Sequence, residues 1–218
     1  MLHLNFHTIS FQLLPEKAVF RPDNRTLYLA DTHFGKAGTF RRGGIPLPGG
    51  HNRADYARLN GLIGAHQPQR IVFLGDLFHS FLNEEWQEFT EWRSGHPQIG
   101  MLLIEGNHDV LLPDDYRQAG LHLQPEGFED DGLLLNHHPL PEDAAPADLR
   151  PSLCGHVHPG VRLSGPGRQH ERLPCFRHST RHKQLMLPAF GSFTGLGIIS
   201  PKPDDEIYVI AGDAVVRV

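Results

Sequence analysis

The chain has 218 residues, 39% of them hydrophobic and 21% charged, and a formal net charge of −5. These figures exclude a disordered chain and argue against a wholly basic nucleic-acid clamp, and the length suits one well-buried domain over 1–218. Apolar runs such as Met101–Ile104 are far too short to cross a bilayer, and Met1-Leu2-His3-Leu4 lacks the basic start and long apolar run of a secretory signal, so the chain reads as cytoplasmic and away from membranes.

In chain order, alternating and apolar stretches run over Leu2–Phe11 and Ala18–Phe20. Arg25–Ala30 reads as a buried strand ending at Asp31, and a loop rich in Gly and Pro follows from Gly35 to Gly50. Ala54–Ala65 has helical spacing, with Tyr56, Leu59, Leu62 and Ile63 on one face and Pro68 closing it. Ile71–Leu74 is a second apolar strand, ending at Gly75-Asp76. Glu84–Trp92 is predicted helical, with Asn83 able to cap its free amides. Ile99–Ile104 is a third strand, ending at Glu105-Gly106-Asn107, and Pro113–Ala119 is a short helix. Leu133–Asn136 runs into His137, and Pro151–Cys154 leads into Gly155-His156. The runs Leu185–Leu187, Ile198-Ile199, Glu206–Ile210 and Val215–Val218 are predicted as antiparallel strands of a second sheet.

Four times, then, an apolar strand delivers a ligand-type residue at its carboxyl end, the layout by which α/β sheets place their chemistry. The residues so delivered form five short signatures in one order. They are Asp31-Thr32-His33, Gly75-Asp76, Gly106-Asn107-His108-Asp109, His137-His138 and Gly155-His156-Val157-His158. Carboxylate, amide oxygen and imidazole in such a set suit two divalent metals, a standard device for attacking a phosphate ester. The ligand chemistry favours manganese, with iron, zinc or magnesium as alternatives, over calcium. Neither Cys154 nor Cys175 lies in a Cys-x-x-Cys arrangement, so thiolate zinc does not fit, and both read as small buried or half-buried thiols.

These signatures resemble the calcineurin-like metallophosphoesterase superfamily, with motif order D-x-H, G-D, G-N-H-D/E, H and G-H-x-H. The resemblance covers roughly residues 25–200. It implies an α/β (α+β) sandwich of two mixed sheets flanked by helices, with a dinuclear site at the strand ends. It further implies that Asp31, His33, Asp76 and His158 hold one metal and that Asp76, Asn107, His137 and His156 hold the other, Asp76 bridging ions about 3.5–4 Å apart. His137 and His138 compete for one ligand position. His137 is preferred because it follows the strand directly, whereas His138 would turn to the opposite face if the strand continued.

In the mechanism this implies, hydroxide shared by the metals attacks phosphorus in line while His108, not itself a ligand, protonates the leaving oxygen. Asp109 reads as stabilising its loop. Many superfamily phosphatases pair that histidine with an aspartate three residues after the bridging one. Here the position is His79, in the G-D-L-F-H form seen in the superfamily's double-strand-break repair nucleases, where the histidine helps position the nucleotide.

Further stretches narrow the resemblance to the bacterial ligase-associated DNA damage response endonucleases. They are Asp31 to Arg42, Pro48-Gly49-Gly50, Leu173–Phe176 and Leu187–Gly195. That family implies DNA as substrate and a functional link to an ATP-dependent DNA ligase. The Phe34–Gly50 loop leaves from the first ligand pair, so Lys36, Arg41 and Arg42 are candidates to contact substrate phosphates, while Phe34 and Phe40 either stack on bases or pack the loop. Basic residues concentrate in 36–58 and again in 162–183, where six Lys or Arg face the single acid Glu171; these read equally as a phosphate-facing surface or as solvated arginines. Of the sixteen histidines, His170, His178 and His182 read as polar surface rather than a second metal site. Two other readings stay open beside the nuclease: a phosphoesterase of nucleotides or cyclic dinucleotides, and a non-catalytic nucleic-acid-binding module.

Overall fold

The computed structural model describes residues 1–36, 44, 52–144, 150–166 and 169–218, and Phe40, Arg41 and Arg42 lie outside them. The chain opens with β1 (Leu2–Phe6), β2 (Ile9–Leu14), β3 (Ala18–Arg21) and β4 (Thr26–Leu29), each antiparallel to the one before. From β4 the direction changes. β5 (Arg70–Leu74), β6 (Gly100–Ile104) and β7 (His122–Gln124) run parallel to it, completing a seven-stranded mixed sheet in sequence order among the described residues.

Parallel neighbours need crossovers. Helix α1 (Asn52–His66) lies between β4 and β5, α2 (Glu84–Ser94) between β5 and β6, and α3 (Pro113–Gln118) between β6 and β7. The expected cap of α2 is present: the Asn83 side chain accepts from the Trp86 amide at 3.0 Å, an interaction of about 1 kcal/mol.

The second sheet contains β8 (Phe128–Asp130), β9 (Leu133–Leu135), β10 (Ser152–Cys154), β11 (Pro159–Ser164), β12 (His170–Ser179), β13 (Gln184–Met186) and β14 (Gly197–Ile198), in the order β14-β11-β12-β13-β10-β9-β8. β15 (Asp205–Ala211) pairs with β12, and β16 (Ala214–Arg217) pairs with β15. Two predictions change here. The Leu185–Leu187 run was expected to be antiparallel; β13 is antiparallel to β12 but parallel to β10 on its other side, and β14 lies parallel to β11. Apolar periodicity fixes which face a strand buries and carries no information on direction.

The buried β5 run shows how the layers assemble. Ile71 and Phe73 join Leu59, Leu62, Trp86, Phe89 and Tyr116 in the core beneath the helices. Val72 and Leu74 point the other way, into a core shared with Leu135, Leu153, Phe176, Leu185 and Tyr208 of the second sheet. Each such side chain contributes about 1.5–3 kcal/mol on burial. A strand buried on both faces reads as a continuous apolar run. The sandwich expected from the sequence is the one found, with the helices on the outer face of the first sheet.

Both cysteines are buried and free. His178, expected at the surface, is buried instead; it bonds Glu206 at 2.9 Å and packs edge-on to Phe6. No helix among the described residues is long and apolar enough to cross a membrane.

Candidate metal centre

Every signature sits where a strand ends. Asp31 and His33 follow β4, Asp76 follows β5, Asn107 and His108 follow β6, His137 follows β9, and His156 and His158 follow β10. The backbone turns sharply at these ends: Asp31, His33, Asp76, His156 and His158 all have φ between +46° and +69°. Non-glycine residues in this region carry strain of about 1 kcal/mol or more each, and such strain collects at functional sites.

Glycines give the approach its closeness. A Cβ on Gly75, itself at φ +80°, would fall on the His137 ring, and one on Gly106 would strike the Asp76 amide and carboxylate.

Two donor sets result. In the first, His33 Nε2 lies 3.3 Å from His158 Nε2 and 3.6 Å from Asp76 Oδ2, and Asp31 Oδ1 lies 3.4 Å from His158 Nε2. In the second, His137 Nε2 lies 3.0 Å from Asn107 Oδ1, 3.0 Å from His156 Nδ1 and 3.5 Å from Asp76 Oδ1. Asp76 thus turns one carboxylate oxygen to each set. All seven residues expected as ligands are brought together.

The arrangement fits a cation. Asp31 Oδ1 is buried without a hydrogen-bond partner, and an unpaired buried carboxylate oxygen is costly. Desolvation, with Lys36 and neighbouring histidines adding to it, holds His33 down to about 2, so its ring is neutral. His137 Nδ1 lies 3.0 Å from the Leu74 carbonyl, which can only accept, so the proton sits there and the Nε2 lone pair faces the other donors.

His108 stands beside the sets and outside them. Its amide donates to Asp76 Oδ1 at 2.9 Å, and its ring stacks on His79 at 3.9 Å. His79 in turn places Nδ1 at 3.1 Å from His33 Nδ1. Burial, with His108 and Lys36 beside it, lowers His79 to about 4. Lys36 donates its amide to the His33 carbonyl. Burial lowers its ammonium while Asp76 and Asp31 act in the opposite sense, which places the charge near both carboxylates. Phe34 is fully buried, stacked on Tyr56 at 4.7 Å, so it packs the loop rather than facing a base.

Asp109 does what the sequence assigns it, and more. Its carboxylate accepts from the amides of Asp76 at 2.8 Å, Leu77 at 2.9 Å, Phe78 at 3.3 Å and Gly106 at 2.9 Å. It therefore ties the second signature to the third. Burial pushes its carboxyl up to about 7. Asp109→Ala leaves these buried amides without acceptors, at about 1–3 kcal/mol for each left unsatisfied. The expected result is a loss of about 3 kcal/mol or more, read as a lower urea midpoint at unchanged slope.

Two contacts had no signal in the sequence. Glu126 accepts from the His138 amide at 3.1 Å and bonds its Nδ1 at 2.6 Å. His138 was expected on the opposite face, but β9 stops at Leu135, so alternation no longer applies; its ring packs 4.1 Å from that of His156. The second contact joins Asp55 of α1 to the Ser192 amide at 3.0 Å and to Arg58 at 2.8 Å. This anchors the 191–194 turn beside Asp31, whose carbonyl accepts from the Gly191 amide.

No curated protein matches the chain. Among solved structures, nuclease MPE of Pseudomonas putida superposes with a TM-score of 0.79 at 30% identity, covering 100% of this chain and 99% of that one. YfcE, a phosphoesterase from E. coli, gives a TM-score of 0.41 at 14% identity, covering 88% and 97%. The profile of the calcineurin-like phosphoesterases matches residues 25–156, which run from β4 into the fifth signature. With more than half its length matched by that profile, and a relative at 30% identity along the whole of it, the chain belongs to the calcineurin-like phosphoesterase family.

Proposed function

We propose that this phosphoesterase is a phosphodiesterase that cuts DNA, using two divalent ions, manganese first among them. The observation that carries the reading is Asp76 placed between two donor sets, with an imidazole, His79, packed on His108 where a phosphatase would have a carboxylate. The likeness to nuclease MPE supports it. Asp31, His33, Asp76 and His158 would hold one ion, and Asp76, Asn107, His137 and His156 the other. Bound there, the ions supply Lewis acidity for the phosphoryl oxygens and a nucleophile from water at neutral pH.

The chain's own residues do the rest. His108 delivers a proton to the leaving oxygen, with its ring held flat by His79. Lys36 offers an ammonium to a phosphate oxygen beside the ions. Phe81, 68% exposed two residues after His79, offers a face to an unpaired base. Arg41 and Arg42 extend the basic loop as sequence candidates only. Work in DNA repair, in association with an ATP-dependent DNA ligase, is what the sequence resemblance implies.

The test is a cleavage panel with manganese: single-stranded and duplex DNA, nucleotides, cyclic dinucleotides and chromogenic mono- and diesters, with His108→Ala as control. DNA cleavage is expected. Efficient turnover of nucleotides with every DNA form ignored would replace this reading by a small-molecule phosphoesterase. Lys36→Gln is expected to weaken strand binding and to reduce the dependence of log K on log salt by about 0.7, the value for one phosphate on a single strand. An unchanged slope would remove Lys36 from the phosphate path.

A further inference from the structure

Strand β11 begins one residue after His158 and returns as β12, an antiparallel hairpin rooted in the metal centre. Its register sets Arg162 directly opposite Arg172 and Ser164 opposite His170. Alternation puts these side chains on the face from which Phe176 enters the core between the sheets. The other face carries Val161, Leu173 and Cys175 in a separate small core, and there Leu163 stands opposite Glu171, the only acid among the paired residues. One face of the hairpin therefore holds two guanidinium groups and an imidazole, with no carboxylate.

Like charges placed directly opposite on an antiparallel ladder are destabilising. Seven other described arginines, Arg21, Arg58, Arg70, Arg117, Arg150, Arg177 and Arg217, each meet an Asp or Glu, while Arg25 and Arg93 bond main-chain carbonyls. Arg162 and Arg172 are exposed, and no ion pair joins either of them to an acid among the described residues. Planar guanidinium forks left in this state suit phosphate oxygens. Arg162 follows His158 by four residues, about 13 Å at roughly 3.3 Å per residue. That distance is too long for the phosphate under attack and suits its neighbours along a strand.

We infer that the Arg162–Arg172 face of the β11–β12 hairpin binds the phosphate backbone of a polynucleotide whose scissile linkage lies at the metal centre. The inference rests on the phosphodiesterase reading above and extends it: the substrate is a strand of several nucleotides, engaged away from the cut.

Binding of fluorescent single strands from two to roughly twenty nucleotides, without added metal and across a salt series, tests this. The double variant Arg162→Ala/Arg172→Ala is expected to bind the longest strand about tenfold more weakly, with its salt slope reduced by about 1.4, and the loss should grow with length. The charge-retaining Arg162→Lys/Arg172→Lys should recover most of the slope, which separates lost charge from a damaged hairpin. A double variant with wild-type slope and affinity overturns the inference while leaving the nuclease reading intact. A wild-type protein that hydrolyses chromogenic diesters but neither binds nor cuts any strand overturns both. Loss of binding to polyglutamate-coated or anionic-lipid surfaces in place of oligonucleotides would overturn the choice of partner.

Discussion

Asp76→Asn is expected to lower phosphodiester turnover by at least about 10³-fold and to reduce tightly bound divalent metal from two equivalents to one or none. Asp76 turns Oδ2 toward His33 and Oδ1 toward His137, at 3.6 and 3.5 Å. An amide in its place offers one weakly basic oxygen and one N–H pair, so one donor set loses its carboxylate and gains a repelling donor. Each ion contributes several kcal/mol of transition-state stabilisation, and every 1.36 kcal/mol is tenfold in rate. The Asp76 amide still bonds Asp109 in the variant, so the fold should survive. Calorimetric titration with manganese beside a diester assay checks both halves. Two equivalents at wild-type affinity would show that Asp76 is not the shared ligand.

His108→Ala is expected to lower cleavage of DNA by about 10²–10⁴-fold, the usual yield of general acid catalysis. The effect should depend on the leaving group. A sugar alkoxide needs a proton as it departs, whereas a nitrophenolate does not. The same variant should therefore lose far less on an activated chromogenic diester and retain both metal equivalents, since the ring lies outside both donor sets. Equal losses on the two substrates would mean that His108 holds the site together rather than supplying a proton.

The candidate centre was legible because each ligand closes a strand that is itself legible. Leu27, Leu29, Ile71 and Phe73 are buried beneath the helices and Tyr28, Val72 and Leu74 between the sheets, which leaves continuous apolar runs, and the residue after such a run marks the carboxyl edge. Other features carry no local mark. β12 contains Pro174 and exposes its first half, so His170–Ser179 read as a basic surface rather than a strand. Pro174 is the last residue of β12 paired with β11, and pairing with β15 begins only at Cys175, so its missing amide falls where one ladder gives way to another. Asp55 and Ser192 are 137 positions apart and meet only in the folded chain. Glu126 and His138 lie closer in sequence, but their bond depends on β9 stopping at Leu135.

The left-handed turns at Asp31, His33, Asp76, His156 and His158 also bear on how this sequence should be redesigned. Judged by backbone geometry alone, glycine or asparagine belongs at all five positions, and a procedure that rewards foldability would place them there. Substitutions toward those residues should raise the melting temperature of the metal-free protein while emptying its centre. Stability and activity therefore pull in opposite directions at the same five residues, and the aspartates and histidines kept there record which of the two was selected.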